Sequence, residues 1–241
     1  MDQLKQIDVR WGSHHDKVLV SGAFDAYLDA FAGEVGGHLT DERCPFGVLL
    51  WPCARALASL LSEEPQIFPN KPKRIIELGC GVGFISCVLA RLYPDAEILA
   101  CDYERELQGL VDGNAKLWGL GDRVRFIPVD WRKAAPAELL ASADWVVGTD
   151  VFYDDSHLLH LPPFAASLLR PGAYLTLADP KRYRFGRVLE LLQERFELVT
   201  HEERLTSLKA DGIEEFMINF GLSEQLTSIL HLKLLTELAR H

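Results

Sequence analysis

The sequence predicts an α/β fold: a doubly wound, mostly parallel sheet with helices on both faces. Three observations carry that reading. From Arg74 onward, short apolar runs alternate with amphipathic helical stripes, the pattern of strand–helix–strand units in a sheet buried on both sides. A glycine-rich turn, Glu77-Leu78-Gly79-Cys80-Gly81-Val82-Gly83, joins the first run to the first stripe. An acid then stands at the end of each expected strand, at Glu77, Asp102, Asp130, Asp150 and Asp179. Ligands of such sheets lie beyond the carboxyl ends of the strands, so chemistry is expected there.

In chain order, residues 8–34 hold a hairpin or short helices. The longest apolar run, Phe46–Ala54, is too short to span a membrane. Pro65, Pro69, Asn70 and Pro72 then break all periodicity, which divides the chain into an N-terminal cap, 1–64, with the helix after Trp51, and a main domain, 65–241. Arg74–Leu78 reads as a strand, and Ile85, Val88, Leu89 and Leu92 mark one helix face. Glu97–Cys101 is the next strand, followed by a helical stripe at Leu107, Leu110, Val111 and Trp118. Val124–Val129, Asp144–Thr149 and Ala173–Ala178 are further strands, and Val188, Leu189, Leu192 and Phe196 form another helix face. Residues 205–241 are expected to supply closing strands, Ile229–Leu235 foremost.

Composition bounds the function. Among 241 residues, 48% are hydrophobic and 25% charged, enough for a sizeable core and against disorder. A net charge of −10 argues against nucleic acid as the main partner. The N-terminus shows no apolar secretory stretch, and five cysteines without a Cys-x-x-Cys pair argue against a disulfide framework or zinc site. A cytoplasmic, monomeric protein without membrane attachment is expected. His157-x-x-His160 and His14-His15-Asp16 lack a third ligand at suitable spacing, so no metal is inferred.

The glycine turn allows tight chain reversal and close approach of a ligand to main-chain N–H groups. It departs from the dinucleotide fingerprint because Phe84 stands where the third glycine belongs, which makes a nicotinamide-dependent oxidoreductase a distant reading. Asp102 follows 19 residues beyond Gly83, where a carboxylate can accept both hydroxyls of a ribose. The plain alternative is a structural turn with an incidental acid. Asn114 puts an amide into an apolar stripe, and a buried amide needs partners; support of the neighbouring loops is expected rather than ligand contact.

Glu-x-Gly-x-Gly-x-Gly with an acid after the second strand resembles the seven-strand, Rossmann-like S-adenosylmethionine-dependent methyltransferases. Three segments narrow the resemblance to methyltransferase family 16, which holds protein-lysine and nicotinamide N-methyltransferase-like proteins. They are Gly47–Ala58 with Trp51-Pro52, Val129-Asp130-Trp131, and Gly148-Thr149-Asp150-Val151-Phe152-Tyr153, which has Thr149 for the family's alanine. The resemblance covers roughly residues 45–185. It implies S-adenosyl-L-methionine as cofactor, held by Trp51, Glu77, Gly79, Gly81, Gly83, Asp102, Asp130, Trp131 and Asp150. In that scheme the glycine loop faces the methionine moiety, Asp102 the ribose and Asp130 the adenine amino group.

Trp51 then either shields the sulfonium with its ring or fills the core, and Trp131 either covers the adenine or closes the core. Asp150 and Tyr153 would form the catalytic pair, a carboxylate and a ring beside the methyl donor; the alternative for Asp150 is a cap on the following turn. The function expected is methyl transfer to a protein lysine. A small amine or pyridine acceptor and a non-catalytic cofactor-binding module are the alternatives.

Overall fold

The computed structural model describes residues 4–22, 46–181, 185–207 and 224–235. The chain opens with an antiparallel hairpin, β1 (Leu4–Trp11) and β2 (His14–Ser21). Its alternation is one-sided: Ile7, Val9, Trp11, Val18 and Val20 are buried, while Asp8, Arg10 and Lys17 are exposed. Helix α1 (Pro52–Glu63) follows, with a proline at its first turn where the missing N–H costs nothing.

Seven strands then build one sheet: β3 (Arg74–Leu78), β4 (Glu97–Asp102), β5 (Val124–Pro128), β6 (Ala143–Thr149), β7 (Leu169–Asp179), β8 (Phe196–Ser207) and β9 (Glu224–Leu234). Their order is β5-β4-β3-β6-β7-β9-β8. The first five in that order run parallel, and β9 is antiparallel to both its neighbours. The connections carry α2 (Phe84–Leu92), α3 (Gln108–Leu117), α4 (Asp155–Leu168) and α5 (Phe185–Gln193). Successive strand residues such as Ile75 and Ile76 feed opposite faces. One core joins the hairpin, α1, α2 and α3, and the other joins α4 and α5. The expected doubly wound sheet with helices on both faces is therefore present. Among the described residues no helix is long and apolar enough to cross a membrane.

Three elements differ from the sequence reading. Phe196 opens β8 rather than ending the preceding helix, because the i, i+4 spacing of Leu192 and Phe196 continues across the chain reversal at Glu194–Arg195. The closing strands thus begin before residue 205. The third is α4, hidden in sequence by its internal Pro162 and Pro163, residues that normally end helical runs.

The strand order reverses between β3, whose chain next enters β4 on one side, and β6 on the other. A crevice beyond the carboxyl ends of β3 and β6 follows from that switch point.

Candidate active site

The turn after β3 is built from left-handed glycines: φ is 67° at Gly79, 50° at Gly81 and 76° at Gly83. Neighbouring backbone and side chains crowd it. A Cβ on Gly79 would sit 2.8 Å from Val151 Cγ1, and one on Gly81 would sit 2.9 Å from the Gly47 carbonyl oxygen. Glycine is therefore required at Gly81 by the approach of the 46–48 segment, whatever ligand binds. Cys80 N–H donates to the Cys101 carbonyl at 3.0 Å and Gly81 N–H to Asp102 Oδ2 at 3.1 Å, which fastens the turn to the end of β4. The Cys80 thiol is buried, its pKa is raised by that burial, and it packs inside the turn.

Asp102 also accepts from Glu104 N–H at 3.2 Å. Burial raises its pKa, against the stabilising pull of these N–H groups on the charged form. Glu77, buried at the end of β3, accepts the Ser86 hydroxyl at 2.5 Å and is pushed up to about 8, chiefly by desolvation. On the other side of the turn, Asn114 Nδ2 donates to the Val82 carbonyl at 2.8 Å and to the Leu19 carbonyl at 3.0 Å, and its Oδ1 accepts Leu19 N–H at 2.7 Å.

A cavity of about 320 Å³ opens at this point, within the range of small-molecule sites. Trp51, Glu77, Gly79, Gly81, Asp102, Trp131, Asp150 and Tyr153 all line it. Two residues expected in the site lie outside that lining. Gly83 starts α2 and faces Val111, which a Cβ would meet at 3.1 Å. Asp130 accepts Arg132 Nε at 2.9 Å and lies 3.5 Å from Lys133 Nζ, and hydrogen bonding from Arg132 lowers its pKa. Phe46, Tyr103 and Glu104 also line the cavity, and the sequence assigns none of them to the site. The last two directly follow Asp102 at a strand end, so the strand-end rule already pointed at them. Desolvation and the neighbouring Asp102 charge raise Glu104 to about 6.

Both indoles are buried or half-buried and line the cavity, so core and site roles coincide. Trp51 Nε1–H donates to the Phe46 carbonyl at 2.9 Å, and the Phe46 ring meets the rings of Trp51 and Tyr153 edge-on at 5.6 and 5.9 Å. Asp150 leaves β6 in a left-handed conformation, φ 57°, with its N–H donating to the Ala178 carbonyl at 2.8 Å. The cap on α4 is Asp154, which accepts Ser156 N–H at 2.7 Å. Asp150 is thus a buried carboxylate one residue beyond the strand, ahead of the residue that caps the helix.

Residues 40–186, more than half the chain, match the model of a family described as lysine methyltransferase. The chain belongs to that lysine methyltransferase family. A trans-aconitate 2-methyltransferase of Streptomyces avermitilis is 31% identical over 136 residues, which cover 54% of this chain and 47% of that protein. A protein-lysine N-methyltransferase of Chaetomium thermophilum is 28% identical over 155 residues, covering 57% of this chain and 44% of that one. The matched region is about half the length of these curated relatives.

Among solved structures, the cyclase SpnF superposes with a TM-score of 0.57 at 17% identity, covering 87% of this chain and 93% of that one. The N-methyltransferase NodS of Bradyrhizobium japonicum, in complex with S-adenosylhomocysteine, gives 0.50 at 17% identity, with 76% and 85% covered. The fold of this family member is that of the S-adenosylmethionine-dependent methyltransferases. Its cavity fits that cofactor's chemistry: carboxylates for hydroxyl and amino groups, and aromatic rings for a sulfonium and an adenine.

Proposed function

We propose that this domain transfers the methyl group of S-adenosylmethionine to the side-chain nitrogen of a protein lysine. The observation that carries the proposal is the cavity lining. Asp102, Glu104 and Asp150, together with Glu77, whose burial favours its neutral form, line it beside Phe46, Trp51, Tyr103, Trp131 and Tyr153, with no lysine, arginine or histidine among the described lining residues. Such a lining suits a cationic cofactor and an ammonium acceptor. It is unsuited to a polycarboxylate, the acceptor class that one relative's name indicates, because bound carboxylates call for guanidinium or ammonium partners. The family description and the lysine methyltransferase from Chaetomium thermophilum support the same acceptor.

The cofactor, when bound, supplies an already activated methyl group. What the chain must add is position and a neutral amine. Asp102 and Glu104 offer acceptors for ribose hydroxyls, and Trp51 and Trp131 offer faces to the cationic and adenine portions. A lysine ammonium has an unperturbed pKa near 10.4 and must lose its proton before attack. Desolvation against Phe46 and Tyr153 favours the neutral amine, while Asp150 orients the nitrogen and passes its proton toward water.

Incubation with radiolabelled S-adenosylmethionine and host lysate tests the acceptor. Label in a protein band, with methyllysine on hydrolysis, is the expected result; label in small molecules alone, or in neither fraction, refutes it. In the same assay Asp150→Ala should lower transfer by about 10²–10⁴-fold, the scale of losing a positioned acid or base, with cofactor affinity within a few-fold of wild type. Tyr153→Phe should cost less than Tyr153→Ala. A fully active Asp150→Asn would reduce the carboxylate to a structural role.

A further inference from the structure

We infer that His157 is a positioning residue of this site, clamping the loop that carries Asp150 and Tyr153 against Trp131; the inference rests on the methyl-transfer reading above. The sequence sets His157 and His160 one turn apart, and the first turn of α4 separates them: His160 is exposed and His157 is buried. His157 Nδ1 meets the Val151 carbonyl oxygen at 2.8 Å. A carbonyl only accepts, so Nδ1 carries the proton of that bond.

The imidazole also meets two cavity rings edge-on, Tyr153 at 4.6 Å and 83° and Trp131 at 5.0 Å and 89°. Val151 in turn abuts the glycine turn, its Cγ1 lying 2.8 Å from where a Cβ on Gly79 would stand. One side chain thus touches the loop after β6 at two points and the residue that closes the cavity after β5. His157 does not line the 320 Å³ cavity; it lines a small pocket that shares Tyr103, Trp131 and Tyr153 with that cavity, so it reaches the larger site through these neighbours.

The clamp has a mechanical purpose. Asp150 holds a left-handed backbone, a conformation that aspartate adopts more readily than most side chains but that still costs more than the ordinary regions and is kept here by fixed neighbours. Ala178 fixes the loop from the Asp150 side and His157 fixes it from the Val151 and Tyr153 side. Small displacements of a positioned group are costly to transfer, up to about 10²-fold for about 1 Å.

Three variants separate the parts of the clamp. His157→Phe keeps a ring and loses the donor to Val151, His157→Asn keeps a donor and loses the ring, and His157→Ala loses both. Hydrogen exchange of the peptide spanning Asp150–Tyr153 reads the clamp without any acceptor, and should accelerate about tenfold or more in His157→Ala and His157→Phe, with partial recovery in His157→Asn. Calorimetry should give S-adenosylhomocysteine affinities within about three-fold of wild type, while kcat falls by about 10–10²-fold in the order Ala, Phe, Asn. Unchanged exchange in His157→Phe and His157→Ala overturns the clamp even if the wild type is active. Cofactor affinity falling in parallel with kcat in all three variants also overturns it, since that marks a merely structural residue. A wild type that labels no acceptor refutes the methyl-transfer reading, and the exchange result still decides the clamp.

Discussion

Replacing Asn114 by alanine should loosen the glycine turn and the N-terminal hairpin together. The amide is 1% exposed and makes three hydrogen bonds of 2.7–3.0 Å. Two of them go to the N–H and C=O of Leu19, so the side chain pairs with the open edge of β2 as a peptide group of a third strand would. The third supports the Val82 carbonyl inside the glycine turn. Truncation strands that carbonyl in a buried setting, at about 1–3 kcal/mol, while the half-buried Leu19 groups recover part of their bonding from water. A total of about 2–4 kcal/mol follows, which for a domain of this size is a fall in Tm of roughly 4–16 °C. Cofactor affinity should fall about tenfold, since the turn loses its outer support while Asp102 keeps its inner one.

Thermal unfolding and calorimetry with S-adenosylhomocysteine measure the two effects separately. Asn114→Leu should not rescue either, because it fills the space and leaves all three backbone groups unpaired. A leucine variant as stable as wild type would falsify the hydrogen-bond argument. Lost stability with unchanged cofactor affinity would confine Asn114 to anchoring the hairpin.

Gly81→Ala should weaken S-adenosylhomocysteine binding about tenfold or more, because its Cβ must displace the Gly47 carbonyl 2.9 Å away in addition to adopting φ 50°. Gly121→Ala is the control: φ is 56° there, nothing stands within 4 Å of a Cβ, and only about 1–2 kcal/mol of backbone cost is expected. Equal losses of affinity in the two variants would remove the steric part of the argument. At low pH, His231 should govern part of the stability. Trp145 Nε1–H donates to Thr176 Oγ1 at 2.8 Å, and Thr176 Oγ1 lies 2.8 Å from His231 Nδ1, which ties the buried imidazole into a polar chain inside the sheet. Burial lowers its pKa from 6.5 to about 4. The contribution is complete above the unfolded value of 6.5 and is lost as pH falls toward about 4, where the unfolded chain binds a proton that the folded one refuses. The full loss is about 3 kcal/mol, and His231→Gln should flatten that limb in denaturant unfolding between about pH 7 and pH 4. An unchanged limb would assign it to other groups.

The parts of this chain that could be read from sequence are those whose physics is local. Strands β3, β4 and β6 are buried over most of their length, so each carries a short apolar stretch that runs up to an acid or a glycine: Ile75-Ile76 before Glu77, Ile98–Cys101 before Asp102 and Trp145–Val147 before Gly148. The cavity residues at their ends follow from that pattern and the resemblance it carries. Strand β8 is different: Glu197–Val199 are all exposed, exposed and intermediate residues alternate from there to Ser207, and its one buried anchor, Phe196, falls in phase with the helix before it. Asp130 looks like its neighbours at strand ends, and the structure adds what spacing does not show: Arg132 two residues on pairs with its carboxylate, which lines a small pocket beside the main cavity with Tyr103, Trp131 and Tyr153.

Asn114 marks the boundary most clearly. Its misfit in an apolar stripe shows that the amide needs partners, and the local register shows that it faces inward. The partners are set by tertiary packing, Leu19 lying 95 residues away and Val82 lying 32 away, because the docked hairpin presents the open edge of β2 to Asn114 on α3. Sequence thus exposes the demand for hydrogen bonds, and the fold decides that meeting it couples the N-terminal hairpin to the cofactor turn.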